Sequence, residues 1–256
     1  MEHDFHGKVV LVTGAGSGIG REAALRFARA GALVYAADLS ANGLEETGAL
    51  AHAAGGELRT AIVNVAQEDD VATLLARIDR EQGRLDAAFN NAGITGGTHR
   101  IEDYPVDDFD RVVGVNLRSV FLGMKYEIPL LLRQGGTIVN TASVAAITGP
   151  AGMSAYAASK HGVQGLTRVA AMENAARGVR VNAIAPGWTE TPMVVANSAQ
   201  NPAFAALASR AIPAKRGAHP GEIAEAALWL SSTASSYVHG QLLVVDGGMT
   251  IGGFEL

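Results

Sequence analysis

The sequence predicts a doubly wound α/β fold: a parallel sheet of about seven strands, covered by helices on both faces. Three observations lead there. Short β-branched runs alternate with longer alanine- and leucine-rich segments along the whole chain. The strand-like runs are continuously apolar, as strands buried on both sides are. A glycine-rich turn joins the first such run to the first helical segment.

The elements follow in order. "KVVLVT" (Lys8 to Thr13) is a buried-strand pattern. "IGREAALRFARAG" (Ile19 to Gly31) is a helix with an apolar face at Ala23, Ala24, Phe27 and Ala28 and a glycine stop. "ALVYAAD" (Ala32 to Asp38) is the second strand, and a helix over Gly43 to Ala54 and a third strand, "RTAIVNV" (Arg59 to Val65), come next. "EDDVATLLARIDREQG" is a helix with acids in its first turn, where the helix dipole favours them. "LDAAFNNAG" is a strand running into a polar loop, and Asp107 to Leu132 is a long helical region interrupted by Gly114, Gly123 and Pro129. "GGTIVNTAS" is the fifth strand, Ala155 to Arg177 a helix stopped near Gly178, and "VRVNAIAPG" the sixth strand. Pro220 opens the helix "PGEIAEAALWLSS", a position helix starts favour, and "QLLVVDGG" is the last strand. The stretch 187–218 breaks this rhythm with small and polar residues, and a long connection of that kind is expected to be a lid.

The chain has 256 residues, and with no linker or internal repeat it is expected to form one domain over 1–256. An apolar share of 48% and a charged share of 18% exclude a disordered chain. The net charge of -5, with no basic stripe, argues against nucleic acid as a partner. The lack of cysteine excludes disulfides, thiolate nucleophiles and cysteine metal sites. The seven histidines show no metal-ligand spacing, so no metal is expected. "MEHDFHGK" is not a secretory signal, and no run of about 18 apolar residues predicts a membrane helix. No membrane partner and a cytoplasmic location are the corresponding expectations.

"TGAGSGIG" (Thr13 to Gly20) carries glycines at 14, 16, 18 and 20. Such a loop allows close backbone approach, and the helix start behind it offers free N–H groups to a pyrophosphate. A plain strand–helix turn would also explain the glycines, and Asp38 tips the balance. It ends the second strand, where a carboxylate can accept both hydroxyls of an adenosine ribose and would repel a 2′-phosphate. With no Arg or Lys inside the loop and Leu39 and Ser40 after Asp38, the reading is NAD rather than NADP.

"SAYAASK" (Ser154 to Lys160) places Tyr156 and Lys160 at i and i+4, on one helix face. A phenol titrates at about 10 unless perturbed. A nearby ammonium lowers that value and lets the phenol exchange a proton with an alcohol or carbonyl oxygen. The pair alone is common by chance. Ser143 ends the fifth strand, at the carboxyl edge where doubly wound sheets bind ligands, and it can hydrogen-bond a substrate oxygen. "NNAG" (Asn90 to Gly93) ends the fourth strand on the same edge. Asn116 follows it, and a buried asparagine there needs partners and could bridge a water to Lys160.

With "TGAGSGIG", "NNAG", Asn116, Ser143, "YAASK" and "PGWTETPM" (Pro186 to Met193) in this order, nearly the whole chain resembles the short-chain dehydrogenase/reductase family. The resemblance implies a catalytic set of Asn116, Ser143, Tyr156 and Lys160. Tyr156 would be the general acid/base and Ser143 would orient the substrate oxygen. Lys160 would lower the phenol pKa and hold the nicotinamide ribose, and Asn116 would hold a relay water. The cofactor contacts it implies are Gly14, Ser17, Gly18, Ile19 and Gly20 in the phosphate loop, and Asp38, Leu39, Asn64, Val65, Asn90, Ala92 and Gly93 around the adenosine. Pro186, Gly187, Thr189 and Thr191, with Tyr156 and Lys160, would surround the nicotinamide. The family often has Asp-Val where this chain has Asn64-Val65, a departure that bears on adenine binding.

Substrate candidates at the same edge are Ile94, Thr95, Ser143, Val144, Ala145, Ile147, Met153, Trp188, Met193 and Val194. They are mostly apolar. The expected reaction is hydride transfer between NAD(H) and a secondary alcohol or ketone on a hydrophobic, cyclic or aromatic skeleton. The alternatives are a 3-oxoacyl thioester reductase, which usually takes NADPH, and a non-catalytic NAD(H) sensor. The resemblance also implies a homotetramer in which the helices over 107–132 and 155–177 pair between subunits. The glycine-rich tail "DGGMTIGGFEL" is read either as a contact with a neighbouring subunit or as a frayed end.

Overall fold

The computed structural model describes residues 3–200 and 212–251. The centre of the expected lid and the end of the tail lie outside the described residues. Seven parallel strands form one sheet: β1 (Val9–Thr13), β2 (Leu33–Asp38), β3 (Glu57–Ile62), β4 (Ala87–Asn90), β5 (Gly136–Thr141), β6 (Val179–Pro186) and β7 (Leu242–Val245). Their order is β3-β2-β1-β4-β5-β6-β7. β1 therefore has β2 on one side and β4 on the other, and the chain reverses its direction of travel across the sheet between them. The crevice at the carboxyl ends of strands beside such a switch point is where this architecture binds ligands.

β1 shows why both faces are covered. Val9 and Leu11 join one buried cluster with Leu74, Ile78 and Leu122, while Val10 and Val12 join the other with Phe27, Leu44 and Leu228. Alternate residues of a strand point to opposite faces, so a continuous apolar run must have a core on each side. Helices α1 (Gly18–Arg29), α2 (Ala41–Ala53) and α8 (Pro220–Ser231) belong to the second side; α3 (Glu68–Gln82), α5 (Ser119–Leu131) and α6 (Ser154–Asn174) belong to the first. Phe5 anchors the N-terminal segment by packing edge-on against Phe27, ring centroids 4.9 Å apart.

Two departures from the sequence reading have local causes. β3 ends at Ile62, short of Val65, because the Asn64 amide bonds to Asp70 Oδ2 at 2.9 Å and its own side chain accepts from Ala66 N at 3.1 Å. The region expected to be helical from Asp107 is α4 (Val106–Val113), a π-helical turn (Gly114–Arg118) and α5. Gly114 does not break the helix; the register changes there, and the wide turn carries Asn116. Short π segments of this sort recur at functional sites. α7 (Pro192–Gln200) lies on the stretch expected to be a lid. Among the described residues no helix is long and apolar enough to cross a membrane.

Candidate active site

The glycine loop turns on left-handed backbone at Gly14 (φ 68°) and Gly18 (φ 53°). A Cβ on Gly14 would lie 2.9 Å from Ala92 Cα, so the loop and the 91–93 segment touch backbone to backbone. A Cβ on Gly20 would lie 2.0 Å from the Gly14 carbonyl oxygen. Gly20 thus lets α1 close onto the loop. It acts through packing and does not itself line the cleft.

Asp38 reaches the loop directly. Its Oδ2 accepts from Gly16 N at 2.9 Å and its Oδ1 from Ser40 N at 2.8 Å. Each oxygen keeps capacity for a further donor. Arg21, which the sequence reading passed over, latches the loop from behind. Its guanidinium donates to the Gly16 carbonyl, to Glu46 Oε2 at 2.7 Å and to Thr47 Oγ1 at 3.0 Å. The only sequence signal was a basic residue directly after the last glycine.

The two asparagines of "NNAG" divide the work differently from the expectation. Asn90 is turned into the interior, where its Nδ2 donates to Glu127 Oε2 at 3.0 Å and Asn140 Oδ1 at 3.1 Å. Its side chain is a buried polar group of the core. Strand alternation puts Asn91 on the other side, where its Nδ2 donates to the Thr13 carbonyl at 3.1 Å and the residue lines the cleft. The Thr13 hydroxyl accepts from Asn91 N at 3.0 Å and Ala92 N at 3.2 Å, tying this loop to the end of β1.

Asn116 is fully buried. Its Oδ1 accepts from Ile94 N and its Nδ2 donates to Ile94 O, both at 2.8 Å, and Nδ2 also donates to Ser159 Oγ at 3.1 Å. Both amide protons are therefore committed. The side chain clamps the Ile94 backbone beside Tyr156 and stands behind the cleft wall.

Ser143, Tyr156 and Lys160 converge as expected. Ser143 follows β5 and accepts from Ala145 N at 3.1 Å, which holds its hydroxyl at the head of a short 3-10 turn. The Ser143 hydroxyl lies toward the Tyr156 phenol, near enough to act on its titration. Lys160 is 3% exposed, and its Nζ donates to the Thr141 carbonyl at 2.7 Å and sits 5.6 Å from the Tyr156 ring centroid. Burial pulls the ammonium down to about 8. The phenol differs from the expectation: burial pushes it above its ordinary value, and the lowering influence is the Ser143 hydroxyl. The ammonium faces the ring and a backbone carbonyl, a geometry that steadies the tyrosine.

A cleft of about 780 Å³ runs along the carboxyl edge. Of the expected cofactor contacts it is lined by Gly14, Ser17, Gly18, Ile19, Asp38, Leu39, Asn64, Val65, Ala92, Gly93, Tyr156, Lys160, Pro186, Gly187, Thr189 and Thr191. Ser143, Ile94, Met193 and Val194 line it among the substrate candidates. Val144, Ala145, Met153, Trp188, Thr95 and Ile147 do not. Ala145 is buried and positions Ser143, Met153 stands at the start of α6, and Trp188 packs toward Gly217. Asp110 and Arg111 of α4 and Val115 of the π-helical turn line the cleft without having been singled out, because nothing in the sequence shows which face of this helical region meets it. The strap over the cleft is close: a Cβ on Gly18 would lie 3.1 Å from Thr191 Cγ2.

Comparison with known proteins agrees with this geometry. Residues 14–250 match the family model described as enoyl-(acyl carrier protein) reductase. The chain is 42% identical to levodione reductase of Leifsonia aquatica over 254 residues, 96% of this chain and 95% of the relative. It is 41% identical to the 3-oxoacyl-[acyl-carrier-protein] reductase of Thermotoga maritima, covering 96% of this chain and 98% of the relative. It is 38% identical to cyclohexanol dehydrogenase of an Acinetobacter species, covering 98% of each. The crystal structure of levodione reductase superposes with a TM-score of 0.93 over 97% of this chain and all of its own. A Beutenbergia cavernae structure with bound NADP gives 0.92 at 37% identity, covering 98% and 100%. An NAD+-bound xylitol dehydrogenase gives 0.91 at 34% identity, covering 95% and 99%. With a family model over residues 14–250 and relatives matched over nearly the full chain, the protein belongs to the short-chain dehydrogenase/reductase family.

Proposed function

We propose that the protein is an NAD-preferring oxidoreductase that interconverts a secondary alcohol and a ketone on an apolar cyclic skeleton. The observation that carries this is one continuous cleft holding Asp38 at one end of the sheet edge and Ser143, Tyr156 and Lys160 further along it. From β2 to β5 is three strand intervals, about 14 Å at about 4.8 Å each, a span that suits two nucleosides joined by a pyrophosphate. The glycine loop and the start of α1 lie between these ends. A nicotinamide dinucleotide bound there supplies the hydride acceptor or donor.

The chain's own part is binding, orientation and proton transfer. Ser143 Oγ holds the substrate oxygen, and Tyr156 Oη takes its proton in oxidation or returns it in reduction. Lys160 contributes positive charge beneath the phenol. Asn116 positions these groups by fixing Ile94. Asp38 supports NAD over NADP, because a 2′-phosphate would bring negative charge against a carboxylate already held by Gly16 and Ser40. The apolar rim of Ile94, Met193 and Val194 supports a hydrocarbon ring, the substrate chemistry that the names levodione reductase and cyclohexanol dehydrogenase indicate for those relatives. We take 187–218 as a lid on a single domain, since Thr189, Thr191 and Met193 already face the cleft. We also propose a homotetramer paired through α5 and α6.

The test is NADH or NADPH formation at 340 nm with a panel of cyclic, aromatic and steroid alcohols, each run with NAD and NADP. Turnover with cyclic alcohols and a clear preference for NAD are expected. Tyr156→Phe should lose turnover by about 1000-fold, within the range for a general acid/base, and keep NADH binding. Near-normal activity in that variant would refute the assignment. Reduction of acetoacetyl thioesters with NADPH as the best reaction would favour the thioester reductase that the Thermotoga maritima relative represents.

A further inference from the structure

Directly behind the cleft, on the α3 and α5 side of the sheet, is a small second cavity of about 20 Å³. That is room for one water molecule. Ala92 and the 63–65 segment line both spaces, so the cavity lies under the floor of the dinucleotide site. Its polar lining is Thr13, Asn90, Ser119 and Glu127.

Glu127 is completely buried. Its Oε2 accepts from Asn90 Nδ2 at 3.0 Å, and its Oε1 finds no partner among the described residues. A buried polar oxygen without a partner is costly and calls for an explanation. Thr13 presents the complementary need. Its oxygen already accepts two amides from the 91–92 loop, which leaves its own proton to be donated. We propose that Glu127 and Thr13 clasp one internal water in this cavity, and that Glu127 is thereby a positioning residue that holds the 91–93 loop in its dinucleotide-binding form. The inference rests on the dinucleotide reading of the cleft.

The hydrogen-bond balance decides the protonation state. Oε2 accepts from Asn90, so a protonated Glu127 carries its hydrogen on Oε1 and donates it to the water. The water also accepts from Thr13 and donates to Asn90 Oδ1 and Ser119 Oγ, within the range of partners a buried water makes. Among the described residues no other charged group lines this cavity. Lys125 is paired outward with Glu68, Arg118 bonds to the Ala66 carbonyl, and Asp70 accepts the Asn64 amide. β1 and the 63–65 segment contribute aliphatic side chains besides Thr13, and α3 contributes only aliphatic ones. Burial without a cation pushes the carboxyl up to about 7. Ionisation above that pH removes the donor from the bridge and leaves an unpaired charge under the loop.

The experiment is a fluorescence titration with NADH, repeated with NADPH, across pH 6 to 7.5, where Lys160 stays mainly charged. In the wild-type protein the Kd should rise about threefold to fourfold as the loop-competent fraction falls. Glu127→Gln reproduces the protonated acid: its amide oxygen accepts from Asn90 and its NH2 donates to the water. It should bind NADH as tightly as wild type at pH 6 and show no such rise. Glu127→Leu should weaken binding about tenfold at both pH values. Should that variant fail to fold, the comparison of wild type with Glu127→Gln decides alone. Identical pH profiles for those two, or a dry cavity in a high-resolution crystal structure, would overturn the proposal. Neither result touches the alcohol-oxidation reading, because NADH binding needs no substrate and the Tyr156 assay does not involve Glu127.

Discussion

Lys160 shows at the scale of one residue how a site is held against the preference of the fold. An ammonium that is 3% exposed, with a backbone carbonyl as its hydrogen-bond partner, has lost most of its hydration. Its pKa of about 8 lies below the ordinary lysine value of 10.5. Between those values the unfolded chain binds more protons than the folded one, so stability rises with pH across that window and the full cost is felt below it. Lys160→Met should therefore stabilise the unliganded protein by about 1–3 kcal/mol at pH 7, with catalysis lost. The gain should shrink when chemical denaturation is repeated at pH 9.5. A loss of stability at pH 7 would mean that the Thr141 hydrogen bond outweighs the burial. Residues of this kind were the most legible in the sequence, since Tyr156, Lys160 and Ser143 keep a spacing that only a helix and a preceding strand end can bring together. Asn90 was not legible. Two adjacent asparagines look alike in a sequence, and only the strand's alternation decides which faces the core. Glu127 was equally hidden, because an acid among Lys125 and Tyr126 reads as helix surface until the packing of α5 on the sheet is known.

At the scale of elements, the loop–helix junction is the least forgiving. α1 can approach the loop only because Gly20 lacks a side chain. Gly20→Ala has to push the Gly14 carbonyl aside. Overpacking of this order costs about 1–3 kcal/mol, and here the displaced backbone belongs to Gly14, which lines the cleft. The expected result is a lower melting temperature together with a Kd for NADH raised by more than about tenfold. An unchanged Kd with a lowered melting temperature would limit Gly20 to a structural part. Strand and helix order were readable from apolar periodicity, while several terminations were not. The π-helical turn at Gly114 is invisible in composition, since glycine there suggests a break and the surrounding packing carries the helix through. The start of α8 was only half readable. Pro220 marked it, but the cap is His219, whose Nδ1 accepts from Gly221 N at 3.1 Å while Glu222 returns a bond to His219 N at 2.8 Å. Histidine is not among the residues that ordinarily announce a cap.

For the whole molecule, the arrangement of helices on the sheet leaves one apolar face unmatched. Phe121 on α5 and Val169 and Met172 on α6 are 51%, 55% and 85% exposed, and Gly165 on α6 has open space beside it. These are the helices the proposed tetramer pairs between subunits. The double variant Val169→Glu and Met172→Glu should run as a smaller species by size exclusion with light scattering. An unchanged mass would move the interface elsewhere. The parallel character of the sheet was legible because strands such as β1, β4 and β7 read as nearly unbroken apolar runs. The shape of the cleft was not, because its lining comes from many separate segments whose meeting depends on strand order.

That order also separates the sequence of synthesis from the sequence of pairing. β1, β2 and β3 pair with one another in register, and all three have been translated once residue 62 is made. The other edge of β1 pairs with β4, which begins only at Ala87. The half of the cleft built on the glycine loop and Asp38 can therefore take shape on the ribosome before the codons for Ser143 and Tyr156 are read. During that interval the free edge of β1 offers Val10, Leu11 and Val12 to any passing strand, a template for mispairing.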